Sequence, residues 1–211
     1  MKMRWQTSSF SAVAASIIYV VFTLLAYLHY ADAFSPMSNW LSDLGNPQVN
    51  QSGALLYNTG CILASVGLLV FFLGLGRWIT ADGRVRTLVR IAQISGVASS
   101  IALIITALFP LGPQTAVHSL AGKIHVIFLG FFLTFSATVF LKRRSSVKWP
   151  AYLGFLSAIV NFIYGAFLYS TFVAEWAAIG MFIVYVLVAA LAFRELPSKR
   201  QARQAQAAKI V

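Results

Sequence analysis

His118 and His125 lie seven residues apart in the stretch LFPLGPQTAVHSLAGKIHVIF. On a helix that spacing puts both rings on one side, two turns or about 10 Å of rise apart. An imidazole titrating near pH ~6.5 can serve as a general base, and a carboxylate with a pKa near ~3.9 can orient it. Asp43 is the matching acid, so Asp43, His118 and His125 are the candidate catalytic residues, suited to acid–base chemistry on an ester. The same three side chains are the one combination that could hold a catalytic zinc, which takes three protein ligands. Two histidines on one helix normally share zinc at a spacing of four, and a spacing of seven works only if the rings bend toward each other. Axial haem ligation by the pair is excluded, because the two ligands must approach from opposite faces of the ring. No metal is assigned and no cofactor is named. The alternative to chemistry is a polar network that ties helices together, with Asn58, Asn161 and Tyr164 as further members.

Asp43 belongs to the segment SPMSNWLSDLGNP, residues 35–47. Ser35 before Pro36 reads as an N-cap followed by proline at the first helical position. Met37, Trp40, Leu41 and Leu44 then follow the i, i+3, i+4, i+7 stripe of an amphipathic helix. Gly45 and Pro47 read as its stop. The expectation is a short surface helix from about Pro36 to Leu44, with Trp40 at headgroup level. Asp43 would then sit near the C-terminus of that helix, where the macrodipole disfavours an anion. It either binds its own turn or answers a cationic or proton-donating partner.

The elements that must position these groups follow from composition. Apolar residues make up 59% of the 211-residue chain, charged residues 10%, and the mean hydropathy is +0.79. The apolar residues fall in six blocks, roughly 10–30, 54–76, 89–109, 121–141, 150–170 and 176–193. Each is long enough for a hydrocarbon core about 30 Å thick, where only a helix satisfies its own backbone. The fold class expected is all-α, a six-helix transmembrane bundle over residues 1–193 followed by a basic tail, 194–211. The run after MKMRW is too long for a signal-peptide core and reads as the first span. The single cysteine, Cys61, cannot make an internal disulfide. No internal repeat stands out.

Charge sets the topology. Of the 16 lysines and arginines, all but Lys123 fall before the first block, after the second, between the fourth and fifth, or in the tail. The positive-inside rule puts both termini in the cytoplasm and residues 31–53 outside, in a cell membrane. The net charge of +11 is thereby assigned to lipid rather than nucleic acid. His29, Asp32, Asp43, His118, Lys123, His125 and Glu175 all fall at the outer side. His29, Asp32 and Lys123 read as headgroup-level residues, with Lys123 able to snorkel. The candidate ligand-binding residues are Ser42, Asp43, Asn58, His118, His125, Asn161, Tyr164 and Glu175. Asp43, Asn58 and His118 are expected to line one outer-facing pocket with His125 as floor or wall, because unpaired polar groups near lipid are costly.

SNWLSDLGNP, LYNTGCILASVGLLVF and FPLGPQTAVHSLAG, in that order, resemble the small membrane proteins grouped as domain of unknown function 998. The S-D-L-G segment is also distantly similar to the group of damage-regulated autophagy modulators and GPI-lipid-remodelling membrane proteins. The resemblance implies a six-helix fold and an association with lipids, and it picks out Ser42, Asp43, Gly45, Asn58 and His118. Glu175 resembles an acid the family carries before the last helix, although Trp176 stands where an arginine is expected. Lipid binding, regulation or lipid movement is the first function expected, with membrane lipids as partners and self-association left open. A hydrolase or transferase acting on a lipid headgroup ester is the alternative. Transport of a small solute is third, because all six prolines lie at block ends rather than breaking a helix.

Overall fold

A computed structural model describes residues 7–78, 82–142, 148–167 and 171–194 of the protein. The basic tail beyond Arg194, and Arg143 and Arg144, lie outside the described residues. Among the described residues six long helices carry the fold: α1 Thr7–Leu28, α2 Ala54–Gly74, α3 Gly83–Leu108, α4 Thr115–Lys142, α5 Trp149–Phe167 and α6 Phe172–Arg194. A 3₁₀ turn, Leu75–Trp78, prolongs α2. Every one of these helices except α5 is long and apolar enough to cross a membrane. Helix α3 begins six residues before its apolar block because Asp82 caps it, accepting from Arg84 N at 2.8 Å and Val85 N at 3.4 Å. Likewise α4 starts at Thr115 rather than near 121. Hydropathy marks the depth of the hydrocarbon, whereas caps set the helix ends.

The helices pack in sequence order as a ring, α1 against α2, α2 against α3, and so on to α6, which closes back on α1. Glycines 53, 60, 67 and 74 recur every seventh residue along α2 and face α1. A Cβ added at Gly60 would collide with Phe22 and one at Gly74 with Ser8, while at Gly67 it would stand 2.9 Å from the Ala15 Cβ. Small residues at such a seam let two backbones approach closely where lipid offers no hydrophobic drive for helix association. This repeat is the internal periodicity that the apolar pattern hides. Outward-facing Leu28, Leu55, Leu73 and Ile94 are all more than half exposed, as lipid-facing side chains are.

One end of the ring is plugged. Phe71, Phe72 and Phe132 meet edge to face or tilted, and Tyr185 packs on Phe132 with centroids 6.1 Å apart. All four are 0–1% exposed. The other end is covered by residues 35–50, and here the structure corrects the sequence reading. There is no single helix from Pro36 to Leu44. One turn forms at 35–39, where Ser35 O accepts from Ser38 N and Asn39 N. The chain is then extended at Trp40 (φ −67°, ψ 143°), and a 3₁₀ helix runs Leu41–Gly45.

The cause of the break is tertiary. In a continuous helix Leu41 N–H would bond the carbonyl of Met37. Instead it donates to Glu175 Oε2 at 2.6 Å, and Trp40 N–H donates to Asp43 Oδ2 at 2.9 Å. Two carboxylates thus capture the donors that would have continued the turn. Of the stripe expected to turn to the bundle or the acyl chains, Met37 is 76% exposed, while Leu41 and Leu44 are buried. Gly45 does not stop the helix by a left-handed φ. A Cβ there would stand 2.6 Å from Asn58 Oδ1 and 2.8 Å from the Tyr57 ring. Buried Asn50 fastens the cover by donating to Ala26 O at 3.2 Å and Leu44 O at 2.9 Å. Trp176 Nε1 adds a bond to Asn39 O at 3.1 Å.

Candidate functional site

Between the cover and the aromatic plug lies a cavity of about 570 Å³. Its covered end is polar, formed by Ser42, Asp43, Asn46, Gln48, Thr115 and His118 from the α1–α2 segment and the start of α4. Its deep end is apolar, formed by Ala64, Leu68, Leu129, Phe182 and Val186. Gly112 closes the gap between the two covering loops. It has φ +90°, and a Cβ there would stand 2.6 Å from Asn46 Oδ1, so glycine is required on both counts.

The histidines are held by α3. Thr106 O would bond the N–H four residues on, but that residue is Pro110, which has none. His118 Nδ1 takes the place, 3.0 Å from Thr106 O and 3.2 Å from Phe109 O. Two turns below, His125 Nδ1 lies 3.0 Å from Ser99 O, while the Ser99 hydroxyl donates back to His125 O at 3.3 Å. A carbonyl only accepts, so Nδ1 carries the proton in His118; His125 Nδ1 also lies 2.9 Å from the Ser99 hydroxyl, and its bond to Ser99 O likewise calls for the proton on Nδ1. In the neutral imidazole this leaves Nε2 with a bare lone pair. The two amides are fixed by the same logic. Asn58 Nδ2 donates to Gly45 O at 2.8 Å and Asn161 Nδ2 to Val126 O at 2.7 Å, leaving each Oδ1 as an acceptor.

Asp43 is the residue most changed from its expected setting. It stands in the first turn of the 3₁₀ helix rather than the last, where an anion and a returning bond to the Trp40 N–H are favourable. Burial nevertheless pushes its carboxyl above the ordinary carboxylate range, with the Trp40 bond pulling the other way. Glu175, 6% exposed at the start of α6, is bonded to Leu41 N and within reach of the Ser42 backbone and hydroxyl. No lysine or arginine is among the described residues that line the cavity.

Ser42, Asp43, Asn58, His118, His125, Asn161, Tyr164 and Glu175 all line this one cavity. His29, Asp32 and Lys123 do not, and all three are exposed. Among the described residues no three His, Cys, Asp or Glu side chains are grouped so as to hold a metal ion. The sequence reading missed Trp40, Gln48 and the pair Tyr19–Tyr57, whose hydroxyls are 3.1 Å apart in the cavity wall. It also missed the inward alanines Ala15, Ala64, Ala107 and Ala178, whose small size leaves the space open. Their signal was present only as small residues on one helix face.

The chain belongs to the family described as proteins of unknown function, DUF998, whose profile matches residues 13–194. No curated protein and no solved structure matches it significantly.

Proposed function

We propose that this DUF998 protein is a six-span membrane protein that receives a lipid-like amphiphile in its cavity, polar head at the covered end and chain toward the plug. The observation that carries the reading is the gradient within one cavity, from carboxylates, histidines and amides to alanine, leucine and phenylalanine. Ligand sites are concave and mostly apolar with a few fixed polar groups. The volume of about 570 Å³ suits one chain and a small head. The distribution of basic residues supports cytoplasmic termini in a cell membrane, with the covered end facing out. Helix α5 is the sixth span in this arrangement, and its apolar run in the sequence continues to residue 170.

Ala107, 5% exposed, lines the cavity. Replacing it with phenylalanine fills that space from within without changing charge. Native mass spectrometry of the protein released from its membrane should show a lipid-sized adduct that Ala107→Phe loses. An adduct retained in full by that variant sinks the proposal.

Headgroup hydrolysis or transfer is a second reading. The bare Nε2 atoms of His118 and His125 support it, since each could accept a proton from a nucleophile in the cavity.

A further inference from the structure

Two histidines, two amides and Asp43 of the cavity lining share one property beyond being polar. Each is left with an acceptor atom that its bond to the scaffold does not use. His118 and His125 direct Nδ1–H to carbonyls of α3, which leaves Nε2. Asn58 and Asn161 direct an Nδ2–H to Gly45 O and Val126 O, which leaves Oδ1. Asp43 spends Oδ2 on the Trp40 N–H and keeps Oδ1. For His118 and both amides the partners of these nitrogens are backbone carbonyls, which cannot donate; His125 Nδ1 faces both the Ser99 carbonyl at 3.0 Å and the Ser99 hydroxyl at 2.9 Å, and it is the carbonyl that calls for the proton on Nδ1. Asn161 is 1% exposed and lies in the cavity lining.

Charge points the same way. Asp43 and Glu175 both line the cavity, and no lysine or arginine does so among the described residues. Buried carboxylates are costly unless a cation or several donors answer them. A phosphate or carboxylate head would be opposed by the carboxylates of Asp43 and Glu175, with hydroxyls and amides but no cationic side chain among the described lining residues to answer its charge. A head carrying positive charge and several N–H bonds would satisfy both.

We propose that the head recognised at the covered end of the cavity is a protonated primary amine borne on an apolar chain. The assignment rests on the reading of the cavity as an amphiphile site and narrows it to one head chemistry. The three N–H bonds of an ammonium would be met by acceptors drawn from those that α2, α4, α5 and the cover contribute to the cavity lining, with Asp43 and Glu175 supplying the countercharge. The amine could reside on a phospholipid or on a free hydrophobic amine, and the two sources are separable.

The test uses the purified full chain in a maltoside detergent and four probes sharing one chain: dodecylammonium, dodecyltrimethylammonium, dodecanol and dodecyl phosphate. Dodecylammonium should bind about tenfold more tightly than dodecyl phosphate, the scale expected for a charge-assisted hydrogen bond. Dodecyltrimethylammonium keeps the charge without N–H donors and should fall between them. Asp43→Asn retains an acceptor for the Trp40 N–H and should lose about tenfold in dodecylammonium affinity while unfolding no more easily than wild type at the same pH. Glu175→Gln, which can still accept from Leu41, gives a second reading of the same loss. Competition by lysophosphatidylethanolamine assigns the amine to a phospholipid, and failure to compete assigns it to a free amine. Equal or tighter binding of dodecyl phosphate, or unchanged dodecylammonium affinity in both variants, overturns the assignment. If Ala107→Phe excludes dodecanol and dodecyl phosphate in that case, the cavity reading stands and only the head chemistry falls. If no probe binds, both fall.

Discussion

Asp43 is held by two opposing effects, burial that disfavours its charge and a backbone N–H that favours it, and burial is the larger. The sign of its contribution follows. A carboxyl whose pKa is raised on folding binds its proton more tightly in the native state than in the unfolded one. Its stabilising contribution is complete below the ordinary carboxylate pKa of ~3.9 and is lost as pH rises through the raised value. Its charge is in turn felt by Glu175 of α6 and by Tyr30, two residues past the end of α1. Thermal unfolding of wild type and Asp43→Asn, compared from pH 4 to 8, should show wild type losing ground to the variant as pH rises. Parallel curves would mean that Asp43 is solvated and plays no part in the energetics of the cover. His118 teaches a related lesson about single residues. Its position two turns above His125 was visible in the sequence, but its task of replacing the N–H that Pro110 lacks was not, because that task depends on where α3 ends against α4.

At the scale of elements, the seam between α1 and α2 is where packing is least forgiving. Gly60 lies against Phe22, and an added methyl has no room unless a helix shifts. Gly60→Ala should destabilise by about 1–3 kcal/mol, the range for overpacking. Gly180, in α6, has nothing within 4 Å of an added Cβ. Gly180→Ala should therefore be neutral or stabilise by about 0.5–1 kcal/mol through helix propensity. Thermal unfolding in detergent compares the two, and equal effects would remove the seam from the account. The long helices were legible in the sequence because lipid makes hydropathy and helicity the same signal. The cover was not legible. Its apolar stripe was right for Leu41 and Leu44, but the partner that breaks its helix, Glu175, is 134 residues away in sequence. Local pattern cannot report a donor captured from such a distance. The convergence of Asp43, Asn58 and His118 was readable from depth alone, whereas the wall of Tyr19, Tyr57 and inward alanines needed the ring to be closed first.

The whole molecule is a ring of helices with a plug at one end, a polar cover at the other and space between them. Its orientation rests on charge, and two cysteines on a Cys61→Ser background check it. Gln51 is exposed beside the cover, and Ser145 lies between α4 and α5. Gln51→Cys should react with an impermeant thiol reagent in intact cells, and Ser145→Cys only after permeabilisation. Labelling of both from outside would reverse the reading of which leaflet the cover faces. The most direct measurement of the central claim is photolabelling with an amphiphile whose chain carries a diazirine. An occupied cavity predicts crosslinks on inward residues such as Leu68, Leu129 and Val186, abolished by Ala107→Phe. Crosslinks confined to the outer faces at Leu55, Ile94 and Leu156, unchanged in that variant, would contradict it.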